Sequence, residues 1–537
     1  MPQVTYFDAH CVLGRSLHTG PDEPATADEL LAAMDHFGIH DALVLDSLSV
    51  STNPMAGNRR ILERTRGQPR LHPAWSGLMT HSRELPAPAK FVRQMRDEGV
   101  GALYLFYGQW DIRLEDWAID DLLAELEAGR IPLFLCPDST MQPGRIDLSD
   151  WNNIVRICRK FPDLPVVVTE NRLYRGQRPL YEALAACPNL KVDISALWLH
   201  RRIEFICREF GADRMVWGSR LPARGPGAAL MQLNYSGISE KELALIAGGN
   251  MRKLLSWNRD IKPAGDSAAF PEPVDILHRK VRERAPFSDE KFHDCHGHIG
   301  WCCPYHVLAD ETPQTVVAEM DKFGIAAGCV FSLQIGGDVE YGTDEVAAML
   351  NAYPDRFIGF TYVNPNYGER LILKELERGL TLGMQGIKLL TGSYGASGYG
   401  SPMVDLACRF ANDHGQFILN HHWGPPERMR QLCRDYPSAL FIAGHSEGGF
   451  ADVCREFENL YICTCPFLGW NQTEKYVEIY GAGRLLFGSD LMDLPISWGL
   501  GPILYARISE ADKRKILGGN LRRLMDKYRI WPRGWKR

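Results

Sequence analysis

The sequence has no long hydrophobic segment and no marked excess of charge of either sign. No run of about 18 apolar residues, the length that a membrane-spanning helix needs, occurs anywhere in the chain. The 60 Lys and Arg residues and the 66 Asp and Glu residues leave a formal net charge of −6, and no long basic run is present. The sequence therefore gives no indication of nucleic acid or a membrane as a partner, and we expect a small-molecule substrate.

Neither the cysteines nor the N-terminal sequence indicates secretion. The 14 cysteines form no C-x-x-C pair, and the close pairs Cys302–Cys303 and Cys463–Cys465 have no matching pair at zinc-site spacing. We interpret them as reduced, mostly buried thiols. The first residues, MPQVTYFDAH, have neither the basic nor the apolar segment of a secretory signal, so we expect a cytoplasmic protein.

The chain repeats itself at an interval of about half its length. MDHFGI begins at Met34 and MDKFGI at Met320, and FDAHCVLG near the start pairs in the same way with HDCHGHIG. Further on, MVWGSR pairs with LLFGSD and GGNMRKLL with GGNLRRLM, in the same order. The interval shortens along the chain, which indicates an insertion in the first copy, most simply residues 141–150. Two copies of one domain are therefore predicted.

Each copy alternates short apolar segments with amphipathic helical segments, such as residues 27–37 and 313–323. This alternation predicts a parallel sheet, and copies of about 250 residues fit closed barrels. The alternative is a doubly wound open sheet, but no G-x-G-x-x-G opens a helix after the first strand of either copy. We predict an α/β protein with two tandem (β/α)₈ TIM-like barrels.

The segment between the copies separates two predicted domains. Residues 263–273, PAGDSAAFPEP, are rich in proline and small residues and indicate a linker, and a charged helical stretch follows at 274–284. We therefore predict one domain at 1–262, a linker with a helix at 263–284, and a second domain at 285–537.

Polar side chains follow four strand-like segments of the second copy. His296 and His298 end the first segment and point to the same side of a strand, because they are two residues apart. His421 follows QFILN, His445 follows ALFIAG, and Asp490 follows RLLFGS. The carboxyl ends of barrel strands meet at one mouth. Imidazoles with a carboxylate suit one Zn²⁺, with Mn²⁺ or Fe²⁺ as alternatives.

These motifs together resemble a known enzyme superfamily. DCHGHIG, GMQGIKLL, GQFILNHHWG, GHSEGG and GRLLFGSD occur in this order across nearly the whole second copy. They are similar to the amidohydrolase superfamily, particularly the branch of aminocarboxymuconate-semialdehyde decarboxylase. The resemblance implies that His296, His298, His421 and Asp490 hold the metal. It also implies that His445 activates water or polarises the substrate, and that Asp490 carries a proton.

Two assignments within the site have competitors. His422 competes with His421 for the same strand end, although counting from Gly415 favours His421. Lys388 could be a carbamylated bridge between two metals, but a substrate-side or structural lysine is the favoured interpretation.

For other histidines and aromatic residues, the sequence gives weaker support for a role in the site. We interpret His293, His306 and His414 as capping or surface residues. The candidates for substrate contacts are Lys388, His422, Trp423 and Tyr399. Tyr394 and Trp470 also follow strand-like segments, and aromatic residues at a barrel mouth are as often part of the packing.

The first copy keeps little of this constellation. His10 matches His296. The other four positions of the site, in chain order, are occupied in the first copy by Val12, Cys136, Glu170 and Arg220. An arginine in the place of Asp490 would repel a cation, so we predict a metal-free pseudoenzyme half in which Glu170 and Arg220 form an ion pair.

The sequence leaves three functions open. The first is hydrolysis of a small carboxylated or carbonyl compound, such as a lactone or amide, through a metal-activated water. The second is metal-dependent, non-oxidative decarboxylation of aromatic or muconate-type acids, which the absence of an arginine beside the strand-end motifs makes the weaker choice. The third is a non-catalytic binding protein with a structural metal. We expect a monomer with pseudo-dimeric tandem barrels, or a homodimer.

Overall fold

The computed structural model describes residues 4–16, 19–137, 149–169, 177–258, 270–300, 312–334, 337–393 and 396–536. The chain divides into two compact units, Met1–Pro273 and Val274–Arg537. Several positions singled out above lie outside the described residues: Glu170, Cys302, Cys303, His306, Tyr394, most of the insertion and most of the linker.

The first unit alternates parallel strands with helices. Its strands are β1 Tyr6–Leu13, β2 Ile39–Asp46, β3 Leu71–Pro73, β4 Trp75–Ser76, β5 Leu103–Phe106, β6 Leu133–Cys136, β7 Val166–Val168, β8 Leu190–Asp193 and β9 Met215–Val216. Its helices are α1 Ala27–Phe37, α2 Ser47–Ser51, α3 Pro54–Thr65, α4 Pro88–Asp97, α5 Asp116–Gly129, α6 Trp151–Lys160, α7 Gln177–Ala186, α8 Arg202–Phe210, α9 Gly227–Asn234, α10 Glu240–Ala244 and α11 Asn250–Leu254.

The strands of the first unit occupy the positions of an eight-stranded barrel. Strand β3 pairs with β2 and β4 pairs with β5, and only Ala74 separates β3 from β4. The N–H of Ala74 donates to the carbonyl of Val44 at 2.8 Å, so β3 and β4 together fill one position. The sheet returns to β1 where the N–H of Ala9 donates to the carbonyl of Trp217 at 3.0 Å.

The second unit repeats this arrangement. Its strands are β10 Phe292–Ile299, β11 Ile325–Ser332, β12 Phe357–Tyr362, β13 Gly386–Leu389, β14 Phe417–Asn420, β15 Leu440–Ala443, β16 Leu460–Cys463 and β17 Leu485–Leu486. Its helices are α12 Ile276–Arg282, α13 Pro313–Lys322, α14 Val339–Ala352, α15 Glu369–Leu382, α16 Pro402–His414, α17 Pro426–Asp435, α18 Ala451–Glu456, α19 Gln472–Tyr480, α20 Ile496–Leu504, α21 Glu510–Arg514 and α22 Asn520–Tyr528.

The eight strands of the second unit pair in parallel and in chain order from β10 to β17. The sheet closes on itself because the N–H of Cys295 donates to the carbonyl of Phe487 at 2.8 Å, and the N–H of Asp490 donates to the carbonyl of His296 at 2.8 Å. Both faces of such a sheet are covered, which explains why its strands are continuous apolar segments. The predicted α/β fold class with parallel barrels is confirmed.

The repeated FGI motif marks the entry into the second strand of each unit. Gly38 ends α1 with φ 75°, and Gly324 has φ 66°, the left-handed region that favours glycine. A Cβ on Gly324 would also lie 2.2 Å from the carbonyl oxygen of Phe287. The motif recurs because in each unit the chain turns sharply from the first helix into the second barrel strand.

The charged stretch after the predicted linker forms α12, which belongs to the second unit and contacts the rest of it. Asp275 caps this helix, since its carboxylate accepts the N–H of His278 at 2.8 Å. The other oxygen of Asp275 lies 2.6 Å from Nζ of the buried Lys513. No helix among the described residues is both long and apolar enough to span a membrane.

A buried aspartate connects the first and last strands of the first barrel. Asp8 on β1 accepts the backbone N–H of Ser219 at 2.9 Å, the N–H of His10 at 3.0 Å, and the hydroxyl of Ser219. Burial raises the pKa of Asp8 to about 6, and the hydrogen bonds from Ser219 and His10 oppose this rise. Three donors therefore hold one carboxylate at the point where the barrel closes.

The second barrel has the same connection. Asp294 on β10 accepts the N–H of Ser489 at 3.0 Å, the N–H of His296 at 2.9 Å, and the hydroxyl of Ser489. Our sequence analysis did not single out either aspartate. The signal was present in the repeat, because an Asp stands two residues before each of the matched histidines His10 and His296.

We predict that Ser219→Ala lowers the free energy of unfolding by about 1–3 kcal/mol, because the buried carboxylate of Asp8 loses a donor. Chemical denaturation followed by circular dichroism measures this change. The control is Ser256→Ala at an exposed serine of the same unit, which should stay within about 0.5 kcal/mol of the parent protein. Equal unfolding midpoints for the two variants would contradict the role of Asp8.

Candidate active site

The structure brings together all five residues of the predicted constellation at the carboxyl ends of the second unit's strands. His296 and His298 lie on β10, His421 follows β14 directly, and His445 is the second residue after β15. Asp490 follows β17 and is held beside β10 by its backbone hydrogen bond to His296. Four strand ends therefore supply one cluster, as barrel closure requires.

Asp490 lies at the centre of the cluster. Its Oδ1 is 2.8 Å from Nε2 of His298, 3.3 Å from Nε2 of His296 and 3.8 Å from Nε2 of His445. The side chain of Asp490 is almost completely buried, and the backbone of this residue has a φ of 61°. A non-glycine residue in the left-handed region is uncommon and often marks a functional position.

The imidazoles face one another across the mouth. The ring centroids of His421 and His445 are 3.9 Å apart, and those of His296 and His445 are 5.1 Å apart. The Nε2 atoms of His296, His421 and His445 are buried, and none has a hydrogen-bond partner within the described part of the chain. Buried polar atoms without partners are rare, so three that converge indicate a site for a ligand.

The electrostatics of the cluster favour neutral imidazoles. Burial and the nearby ammonium of Lys388 lower the pKa of His296 to about 4. Burial also lowers the pKa of His421, well below its usual value, and the pKa of His445. Neutral imidazole is the form that binds metals. Burial alone would raise the pKa of Asp490, but the facing histidines hold it well below its usual range.

The donor set fits a divalent metal. His296, His445, Cys465 and Asp490 each offer one ligand atom, and these four atoms all lie within 4.8 Å of one another. Imidazole, thiolate and carboxylate are the donors that Zn²⁺ accepts in proteins. From the sequence, Cys465 was predicted only to be a buried thiol, because nothing in the spacing shows that its side chain lies close to the histidines.

Lys388 on β13 lies inside the barrel close to this cluster. It is fully buried, and its Nζ lies 4.4 Å from the centre of the Phe331 ring and has no hydrogen-bond partner among the described residues. Burial lowers the pKa of Lys388 to about 7. The structure thus places an ammonium group beside the histidines, where a substrate anion could meet it.

The other candidates for substrate contacts differ in their surroundings. The His422 side chain is exposed, whereas the His421 ring packs on His445, so the geometry favours His421 at the strand end. Trp423 is fully buried and donates its indole N–H to the carbonyl of Ile442 at 3.0 Å, which favours a packing role. Tyr399 is 43% exposed.

Glu447 is a second residue that our sequence analysis missed. Both of its carboxylate oxygens accept the backbone N–H of Trp423, at 3.0 and 3.1 Å. Burial raises the pKa of Glu447 to about 8. The GHSEGG motif contains this residue, but the sequence does not show that it bridges two neighbouring strand ends.

A cavity of about 510 Å³ opens at the carboxyl end of β12. Its lining combines aromatic residues, including Tyr362 and Tyr367, with charged residues, including Asp338 and Lys374. Tyr362 is in register with Lys388 on the adjacent strand. The cavity therefore lies at the same end of the barrel as the histidine cluster and has the volume of a small-molecule site.

The equivalent position in the first unit contains a different network. Nδ1 of His10 lies 3.7 Å from Oδ2 of Asp193, and all these side chains are buried. Asp193 accepts the hydroxyls of Thr169 at 2.8 Å and Ser195 at 2.9 Å. Arg220 donates to the same two hydroxyl oxygens, at 2.7 and 2.9 Å.

The charge of Arg220 acts on Asp193, which we did not predict as its partner. Burial would raise the pKa of Asp193, but hydrogen bonding to His10 and the charge of Arg220 lower it. Glu170, the predicted partner of Arg220, lies outside the described residues. Val12 and Cys136 are buried and offer no imidazole.

Several solved structures are similar to about half of the chain. An uncharacterised TIM-barrel protein from Bordetella bronchiseptica is 18% identical, with 44% of this chain and 99% of that chain covered and a TM-score of 0.37. A 2,6-dihydroxybenzoate decarboxylase from Rhizobium is 17% identical, with 44% and 99% covered and a TM-score of 0.36. A probable 2-pyrone-4,6-dicarboxylic acid hydrolase from Acinetobacter baumannii is 14% identical, with 44% and 99% covered and a TM-score of 0.34.

No curated protein sequence gives a significant match to the chain. The amidohydrolase family model, in contrast, matches the chain twice, over residues 18–257 and 294–526. These two matches cover most of the sequence and confirm the resemblance found in its motifs. The chain therefore belongs to the amidohydrolase family.

Proposed function

We propose that the second unit is a metal-dependent hydrolase that acts on a small carboxylated or carbonyl compound such as a lactone or amide. The observation that carries this proposal is the convergence on Asp490 of three buried imidazole nitrogens, those of His296, His421 and His445, that make no hydrogen bond within the described part of the chain. Such a cluster is costly in a folded protein unless a ligand satisfies it. A cation satisfies both the nitrogens and the carboxylate.

In this proposal His296, His298, His421 and Asp490 hold one divalent ion, with Zn²⁺ the best match and Mn²⁺ or Fe²⁺ as alternatives. Such an ion, when bound, polarises a carbonyl oxygen and lowers the pKa of water. Asp490 is ionised at neutral pH and accepts a proton at Oδ1. His445, whose Nε2 is 3.8 Å from that oxygen, orients the attacking water or the substrate.

Lys388 supports a substrate that carries a carboxylate. Its buried ammonium has no described hydrogen-bond partner and lies on the interior side of β13, next to the mouth. Because this group suits an anionic compound, it supports the substrate class more than it supports one reaction.

Decarboxylation of an aromatic or muconate-type acid is the second candidate. The observation that favours it is the same Lys388, since a buried cation can hold the carboxylate that is lost. Against it, the described strand ends of the second unit contain no arginine to clamp that group. Screening the full chain, loaded with Zn²⁺ or Mn²⁺, on lactones, amides and carboxylated aromatics separates the two reactions. Turnover of none of them would support a binding protein instead.

For the first unit we propose a role without a metal. Arg220 occupies the position of Asp490, and its guanidinium already supplies a positive charge to the buried Asp193. Val12 and Cys136 replace two of the proposed ligands. A metal ion would therefore find repulsion and too few donors in this unit.

We predict that the full chain binds close to one divalent metal, and that His296→Ala removes both the metal and the activity. His10→Ala, the matched change in the first unit, should leave both largely intact. Elemental analysis after gel filtration, with a turnover assay, measures the two effects. Two metals per chain, or loss of metal from His10→Ala, would reverse or remove the proposed division between the units.

We predict that Asp490→Asn lowers kcat by about 10²–10⁴-fold while the metal stays bound, because the amide oxygen can still reach the metal but cannot accept a proton at neutral pH. Steady-state kinetics and metal content separate these effects. Near-normal turnover would remove the carboxylate from the mechanism.

The matched control for Asp490 is Arg220→Asn in the first unit. It should leave kcat nearly unchanged and lower the free energy of unfolding, since Asp193 loses a nearby positive charge inside the protein. Thermal or chemical denaturation measures the loss of stability. A large fall in kcat from Arg220→Asn would assign a part in the reaction to the first unit.

A further inference from the structure

Cys465 lies in the loop that follows β16 and is completely buried. Its Sγ is within 4.8 Å of one nitrogen or oxygen atom each of His296, His445 and Asp490, and these three atoms also lie within 4.8 Å of one another. In a tetrahedral zinc site with metal–sulfur distances of about 2.3 Å and metal–nitrogen distances of about 2.0 Å, the ligand atoms lie roughly 3.5 Å apart. Cys465 is therefore close enough to His296 and Asp490, two of the proposed ligands, to share a metal ion with them.

The neighbouring Cys463 has a different position. Its Sγ is 3.8 Å from Nδ1 of His296 and accepts the backbone N–H of Cys465 at 3.4 Å. The opposite ring nitrogen of His296, Nε2, is the one that lies 3.3 Å from Asp490. Cys463 therefore contacts the back of the His296 ring, whereas Cys465 faces the side on which a metal would bind.

In the first unit, the side chain at the position equivalent to Cys465 also points towards the residue equivalent to Asp490. Strands β8 and β9 pair in the same register as β16 and β17, which makes Ser195 the counterpart of Cys465 and Arg220 the counterpart of Asp490. Oγ of Ser195 accepts Nε of Arg220 at 2.9 Å. The fold thus brings this position into direct contact with the residue after the last strand, even where no metal site is proposed.

We propose that Cys465 is a thiolate ligand of the metal in the second unit and makes the site selective for Zn²⁺ over Mn²⁺. The inference rests on the proposed function, since it requires that the cluster binds a divalent ion. On coordination the thiol loses its proton to solvent and a sulfur–metal bond forms. Thiolate is a soft donor that favours Zn²⁺, while Mn²⁺ favours oxygen donors.

The first experiment uses the full chain stripped of metal by a chelator and titrated with Co²⁺. We expect a near-ultraviolet sulfur-to-cobalt charge-transfer band that saturates at one Co²⁺ per chain. Cys465→Ser should lose this band and retain the visible ligand-field bands of the bound ion. Cys463→Ser, the matched control, should keep the charge-transfer band.

The second experiment needs no variant. X-ray absorption of the zinc-loaded parent protein should show one sulfur at about 2.3 Å together with nitrogen or oxygen neighbours at about 2.0–2.2 Å. Competition between Zn²⁺ and Mn²⁺ should show that Cys465→Ser weakens Zn²⁺ binding by at least the roughly 10–100-fold that loss of an outer-shell partner costs, and weakens Mn²⁺ binding less.

The possible failures are distinct. If Co²⁺ and Zn²⁺ bind at one per chain without a charge-transfer band or a sulfur neighbour, Cys465 is not a ligand and the proposed function stands. A band that survives in Cys465→Ser and disappears in Cys463→Ser would transfer the role to Cys463 and overturn the proposal. If no metal binds to the parent protein, the proposed function fails and this inference fails with it.

Discussion

The candidate site depends on one buried interaction, the carboxylate of Asp294 that joins the first and last strands of the second barrel. Its three hydrogen bonds, from His296 and twice from Ser489, fix the position of β10 relative to the segment after β17. Because His296 is one of these donors and Asp490 directly follows the other donor, Ser489, the interaction holds side by side two residues whose side chains lie 3.3 Å apart. A loose closure would separate the proposed ligands and leave several buried polar atoms without partners.

The first unit shows that this closure belongs to the fold and does not by itself create a metal site. Asp8 and Ser219 repeat the interaction, and the residue that follows, Arg220, has nearly the same left-handed φ as Asp490, 63° against 61°. The backbone therefore has the same conformation at this position in both units. What differs is the chemistry of the side chains that this backbone presents, which is why the two units can share a family and differ in their proposed roles.

The sequence alone predicted the features that depend on local pattern and on the repeat. The helix at 27–37 has the predicted bounds, and the helix at 313–322 ends one residue earlier than expected. The closeness of His296, His421 and Asp490 could be predicted because His296 lies on a strand, the other two follow strands, and strand ends of a barrel meet. Cys465 could not be found, since its closeness to the histidines depends on the register between β16 and β17. The same limit applies to Asp294, whose role exists only once the barrel is closed.

The two clusters differ in how their buried carboxylates are compensated. In the first unit the buried Asp193 has the charge of Arg220 and a contact with His10 nearby, so its negative charge is already compensated within the chain. In the second unit Asp490 itself takes the position of Arg220, and the groups that hold its pKa well below its usual range are the facing histidines, although burial lowers the pKa of His296 to about 4. The remaining cation, Lys388, has its own pKa lowered to about 7 and makes no described hydrogen bond to Asp490. A buried carboxylate is costly unless positive charge or hydrogen bonds compensate it. The same backbone position thus holds an internal cation in the first unit and a buried carboxylate in the second, and this difference is why the metal is proposed for the second unit alone.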